Sequence, residues 1–135
     1  MDLESFRREY LSGGLSRKDL QDDPFDQFSL WMEQALGLGI IDPTAMTMST
    51  VASNGQPSQR IVLLKSFNTQ GYVFYTNYES RKARELDDNS KVSLLFPWNQ
   101  IERQIKICGE AQKLSRKESL SLIHISEPTR LRRIS

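Results

Sequence analysis

Residues 60–82, RIVLLKSFNTQGYVFYTNYESRK, gather side chains able to hold an anion. Arg60 and Lys65 bracket the β-rich apolar run 61–64. Tyr75, Thr76, Ser80, Arg81 and Lys82 lie at or after the end of a second such run, 72–75. Side chains alternate along a strand, so Ile61, Leu63 and Lys65 share one face and Arg60, Val62 and Leu64 the other. Such a strand packs its apolar side chains and still offers a cation at each end. Arg grips phosphate with a planar fork, Lys with a compact point charge. Ser80 reads as the cap of a helix opening on Arg81 and Lys82, where free N–H groups and the positive dipole end favour an anion. Thr76 adds a hydroxyl donor. The chemistry implied is binding of a phosphate-bearing cofactor, with the strand backbone meeting the polar edge of a planar ring where the ladder is open. By spacing alone, solvated surface charges fit these positions equally well. The common phosphate fingerprints, GxxxxGK[ST] and GxGxxG, are absent.

Other chemistries have little material. His124 is the single histidine, which leaves no His-based triad or metal set. Cys108 is the single cysteine and sits in a predicted strand with no His nearby in sequence, so it reads as a packed or partly exposed thiol. With no disulfide to form, a reducing cytoplasm is the expected compartment. The pairs Asp22-Asp23 and Asp87-Asp88 read as caps and surface. Trp31 and Trp98 read as core or interface residues. Eighteen Lys and Arg against 17 Asp and Glu leave a net charge of +1, which argues against a general binder of nucleic acid or anionic membranes. The first residues lack a signal-peptide pattern, and no apolar run approaches membrane-spanning length.

These side chains need a scaffold, and 135 residues suffice for one domain. Leu3, Phe6 and Tyr10 have helical spacing up to Gly13-Gly14, although residue type alone favours a mobile arm over residues 1–22. Asp23 and Pro24 start a helix in which Phe25, Phe28, Met32 and Ala35 share a face, with Trp31 and Leu36 alongside, and Gly37 and Gly39 end it. From Ala45 the period becomes 2. Asn54-Gly55 signals a hairpin, because both residues tolerate positive φ. Strands are predicted over 58–67, 72–77, 91–96 and 102–112. A turn is predicted at 68–71, a helix over 81–87 closed by Asn89, and a strand end at Pro97. Ser115 to Glu118 has capping-box spacing for one more helix. Short strands joined by tight turns, with a helix inserted, predict a mainly β antiparallel barrel with α additions.

On these residues the chain resembles the pyridoxine/pyridoxamine 5′-phosphate oxidases, the bacterial ones above all. The resemblance rests on RREY (7–10), DPTAM (42–46), GQPSQRIVLLK (55–65), VFYTN (73–77), SRKARELDDN (80–89), VSLLFPW (92–98) and ERQIKICGEAQKLS (102–115). It runs in order over about residues 5–118. It implies an FMN-binding split β-barrel acting as a homodimer, with each flavin held between subunits. By position, Arg60, Ile61, Val62, Leu63, Leu64 and Lys65 match the family's first FMN segment. Tyr75 and Thr76 match the second, Arg81 and Lys82 the phosphate pair, and Gln104 a further flavin contact. Arg7, Arg8, Glu9 and Tyr10 match a segment that closes over the substrate, and Lys65 also matches a substrate-phosphate contact. The implied reaction oxidises the 4′ carbon of pyridoxine or pyridoxamine 5′-phosphate to the aldehyde. FMN takes the hydride and dioxygen reoxidises it to give hydrogen peroxide; the amine also releases ammonia. The flavin carries the redox chemistry and no side-chain nucleophile is required.

The chain also departs from that pattern. The family continues for roughly another small domain, with further flavin contacts and an Arg-Leu-His-Asp-Arg segment at the substrate. Leu122 and Ser126 stand where the family has a Tyr and an Arg on the substrate phosphate. Expected, then, are an arm or substrate lid over residues 1–22, a truncated FMN-binding barrel over 23–118, and a non-family tail over 119–135. Within the tail, LSLIHISEPTR resembles a translated sequencing adapter, and such scars are set aside in fold reasoning. An incomplete barrel and weak turnover follow as expectations. The rival reading is a non-catalytic FMN-binding module of the same barrel type.

Overall fold

The structure, a computed structural model, describes residues 1–5, 17–75, 80–113, 122–125 and 129–133. From Lys113 onward only the backbone is described. Helix α1 spans Pro24–Gly37. The Asp23 side chain accepts the Phe25 N–H at 2.8 Å, and Pro24 fills a first-turn position whose N–H would have no intrahelical partner. Phe28, Trp31, Met32 and Ala35 are buried, with Gln27 beside them. Phe25 is half-buried, and Leu36 is 56% exposed, off the core face on which the period alone would group it. The helix ends at Gly37 with Leu38 as its cap, and Gly39 turns the chain at φ +66°.

The strands are β1 Ala45–Val51, β2 Pro57–Asn68, β3 Gly71–Tyr75, β4 Lys91–Trp98 and β5 Arg103–Lys113. Helix α2, Arg81–Asp88, is inserted between β3 and β4. The five strands form a curled antiparallel half-barrel, β1 pairing β2 and β4, β2 pairing β3, and β4 pairing β5. Met46 and Met48 point inward from β1, Val62 and Leu64 from β2, and Val92, Leu94 and Phe96 from β4. Phe28 of α1 closes this core, with ring centroids 4.7 Å from Phe67, 5.1 Å from Tyr72 and 5.2 Å from Phe96. The indole of Trp98, itself buried, donates to the Pro43 carbonyl at 2.9 Å.

Three local expectations change. The β1–β2 connection is a five-residue loop, 52–56, rather than a two-residue turn. Only Gly55 takes positive φ there, while the Asn54 side chain accepts the Gln56 N–H at 3.0 Å. Pro97 lies inside β4 instead of ending it. It sits beyond residues 93–95, the part of β4 that pairs β1, so its missing N–H breaks no bond to that neighbour. Residues 119–135 carry no strand period, yet two short strands form there. They are β6, Leu122–Ile125, between β3 and β5, and β7, Thr129–Arg133, against β5. Backbone pairing needs no side-chain period, since an open strand edge accepts any extended segment. The segments predicted helical near residues 3–13 and 115–118 fall almost wholly outside the described residues.

Candidate anion site at the mouth of α2

Ser80 caps α2, its hydroxyl accepting the Ala83 N–H at 3.3 Å. The backbone N–H groups of Arg81 and Lys82 precede the first intrahelical bond, so this helix end offers donors and positive potential to an anion. Arg60, from β2, faces the same helix. Its Nη1 donates to the Thr50 hydroxyl at 2.7 Å, the Met48 carbonyl at 3.2 Å and the Ser58 carbonyl at 3.4 Å. Its Nη2 lies 3.4 Å from the Glu85 carboxylate. Glu85, on α2, also accepts the Ser58 hydroxyl at 2.9 and 3.0 Å and the Thr50 hydroxyl. One carboxylate therefore ties α2 to both β1 and β2.

The charges respond to this setting. Burial, and then the positive charge of Arg60, pull the Lys82 ammonium below the ordinary lysine range. The Thr50 hydroxyl holds the Glu85 carboxyl below its ordinary range, with Ser58 and Arg60 adding to the effect while burial opposes it. A carboxyl whose folded-state value is lowered stabilises the fold above its unfolded value and loses that contribution as pH falls through the folded one. Wild type should thus exceed Glu85→Gln in urea midpoint by a steady margin from about pH 7 to about pH 5, and the margin should close below about pH 4. A margin independent of pH would contradict this.

A second group lies on the outer face of the β2–β3 hairpin. The register slips between Leu64 and Ser66, making Lys65 a bulge residue, and its Nζ sits 5.8 Å from the Tyr75 ring centroid. Ile61 is 64% and Leu63 46% exposed on that face. Val62 and Leu64 point into the core, so their side chains are closed to a ligand, and the Leu64 N–H is taken by the Thr44 carbonyl at 2.9 Å. Residues 57–63 pair β1 on one edge, whereas β3 pairs only residues 64–68. Among the described residues, no strand covers the other edge of 57–63. Gln104 stands apart on β5, with β1 and β4 intervening between it and β2, and pairs Pro97. Thr76 and the segment Arg7, Arg8, Glu9 and Tyr10 lie outside the described residues.

Residue types alone do not single out Glu85, Thr50 or Ser58. A signal for two of them existed. Thr50 continues the inward row of Met46 and Met48 as a polar residue, and Glu85 follows Lys82 by three and Arg81 by four, on one side of the helix. No cluster of three or more metal-ligating side chains occurs among the described residues. None of the described helices is long and apolar enough to cross a membrane.

The family model for pyridoxamine 5′-phosphate oxidase matches residues 32–129. The chain belongs to that family. A pyridoxine/pyridoxamine 5′-phosphate oxidase of Teredinibacter turnerae is 58% identical over 120 residues, covering 89% of this chain and 57% of the relative. The chain thus spans little more than half the length of that pyridoxamine phosphate oxidase. Among solved structures, PhzG from Burkholderia lata in complex with tetrahydrophenazine-1-carboxylic acid superimposes with a TM-score of 0.74. Its identity is 29%, covering 79% of this chain and 54% of that one. A pyridoxamine 5′-phosphate oxidase-related, FMN-binding protein of Nostoc punctiforme shares the fold at a TM-score of 0.59 and 18% identity, over 67% of this chain and 52% of that one. The curled half-barrel with two helices is accordingly the split barrel of the pyridoxamine phosphate oxidase family.

Proposed function

We propose that this chain binds FMN and belongs to an oxidase that converts pyridoxamine or pyridoxine 5′-phosphate to pyridoxal 5′-phosphate, with dioxygen as acceptor and hydrogen peroxide as product. The observation that carries this reading is the tie of Arg60 to α2 through Glu85, on the helix whose first turn carries Arg81 and Lys82, in a chain of this family. These cations and the first-turn N–H groups fit a phosphate. Tyr75, Lys65 and the apolar outer face of Ile61 and Leu63 offer a planar ring a wall. The open edge of β2, at the backbone of Ile61 and Leu63, offers polar groups to the ring's rim. Bound there, the flavin would accept the electrons leaving the substrate's 4′ carbon. The protein's part is to fix the phosphate, orient the ring and exclude water.

A homodimer with the flavin between subunits accommodates Gln104, which one chain leaves three strands from β2. In this reading Thr76 adds a flavin contact, Arg7, Arg8, Glu9 and Tyr10 cover the substrate, Lys65 also meets the substrate phosphate, and the protein works in the cytoplasm. Since the chain spans 57% of the curated relative, a non-catalytic FMN-binding module is the second reading. Incubating FMN-loaded protein with pyridoxamine 5′-phosphate in air separates the two. Slow formation of pyridoxal 5′-phosphate with matching peroxide supports the oxidase; FMN bound with no aldehyde formed supports the module.

A further inference from the structure

Glu85 places a negative charge, 7% exposed, in the middle of a proposed anion site. A buried carboxylate costs several kcal/mol unless it is paired and hydrogen-bonded, and a negative charge beside a bound phosphate would repel it. Its surroundings resolve the conflict. Glu85 takes hydroxyl hydrogens from Thr50 and Ser58 and faces Nη2 of Arg60 at 3.4 Å, so its lone pairs point to the sheet. Arg81 and Lys82 precede it by four and three residues on the same helix, so whatever anchors Glu85 also sets where those two cations stand. Arg60 is held from two sides, by Glu85 and by acceptors on residues 48, 50 and 58. Without a counter-charge, Arg60 and Lys82 would repel each other across the gap between β2 and α2.

We propose that Glu85 is the positioning residue of the phosphate site, clamping Arg60 and seating the first turn of α2 so that Arg60, Arg81 and Lys82 converge on one phosphate. The inference rests on the FMN reading above and deepens it. Glu85 does not itself touch the ligand.

Glu85→Gln tests it. The glutamine keeps the size but turns an amide donor toward groups that donate, so Arg60 loses its anchor. The readout is the ratio of dissociation constants for FMN and riboflavin, which differ only in the phosphate, followed by flavin fluorescence quenching on the full chain. FMN affinity should fall on the order of tenfold, the equivalent of one charge-assisted hydrogen bond, while riboflavin affinity stays within about twofold. Thr50→Val, which leaves the carboxylate in place but removes the hydroxyl bridging it to Arg60, should shift the ratio in the same direction by less. It decides the matter if Glu85→Gln does not fold. Equal weakening for both flavins would make Glu85 merely structural and overturn the inference, as would unchanged or tighter FMN binding. A wild-type chain that binds FMN no better than riboflavin would overturn the phosphate site itself, and this inference with it.

Discussion

Replacing Arg81 and Lys82 together with alanine is expected to weaken FMN binding by at least about 100-fold, since hydrogen bonds from charged groups contribute roughly 1.5–3 kcal/mol each. Both residues occupy the first turn of α2, where the backbone already favours an anion. Lys82 is the more informative of the two. Its ammonium is partly desolvated and feels the positive charge of Arg60, so an anion bound there would favour its charged form. Alanine keeps the helix, being the best helix former, and Ser80 keeps the cap. The double variant should therefore fold with unchanged circular dichroism and lose the phosphate-dependent part of flavin affinity. A loss below about threefold, less than the equivalent of one such bond, would contradict the placement. Arg60 is a poorer probe, because removing it also strips the buried Glu85 carboxylate of its counter-charge, and stability would change along with binding.

Phe28→Ala should cost about 3–5 kcal/mol, in the range measured for deleting a fully buried aromatic ring. Against a total stability of roughly 5–15 kcal/mol, that removes much of the fold's margin. Phe28 is completely buried and meets Phe67 and Tyr72, at the two sides of the β2–β3 turn, as well as Phe96 of β4. It is the peg by which α1 holds the hairpin carrying Lys65 and Tyr75. Urea unfolding measures the effect, and a loss below about 1 kcal/mol would show that the site collapses around the cavity or that α1 packs elsewhere. Flavin binding should weaken in parallel, because the hairpin loses its support.

These two sites differ in how far they could be read from residue order. The helix around Phe28 announces itself through Asp23-Pro24 and a 3.6-residue period, both local signals, and α1 begins where they place it. β1 is legible for the same reason, through its alternation. The cations of the α2 mouth are visible as residue types, but their company is not. Glu85 is one acidic residue in a short, highly charged helix, and its spacing from Arg81 and Lys82 places it on their side of the helix without showing what it faces. Its role appears only when β1 and β2 bring Thr50, Ser58 and Arg60 beneath it, across 25 to 35 residues of chain. Pro97 and Asn54 fail in the opposite way. Their local signals are strong, but the strand neighbours decide whether a missing N–H matters and how long the loop must be. Gln104 shows a further limit, since neither residue order nor a single folded chain brings it to β2.

On the proposed reading, a flavin phosphate is gripped by Arg60 together with Arg81 and Lys82 of the first turn of α2. An absorbance titration of the purified wild-type chain with FMN, beside an identical titration with riboflavin, tests it most directly. A saturable shift of the flavin bands with FMN, and a distinctly weaker one with riboflavin, is the expected result. An FMN spectrum that stays that of free flavin at saturating protein would contradict it.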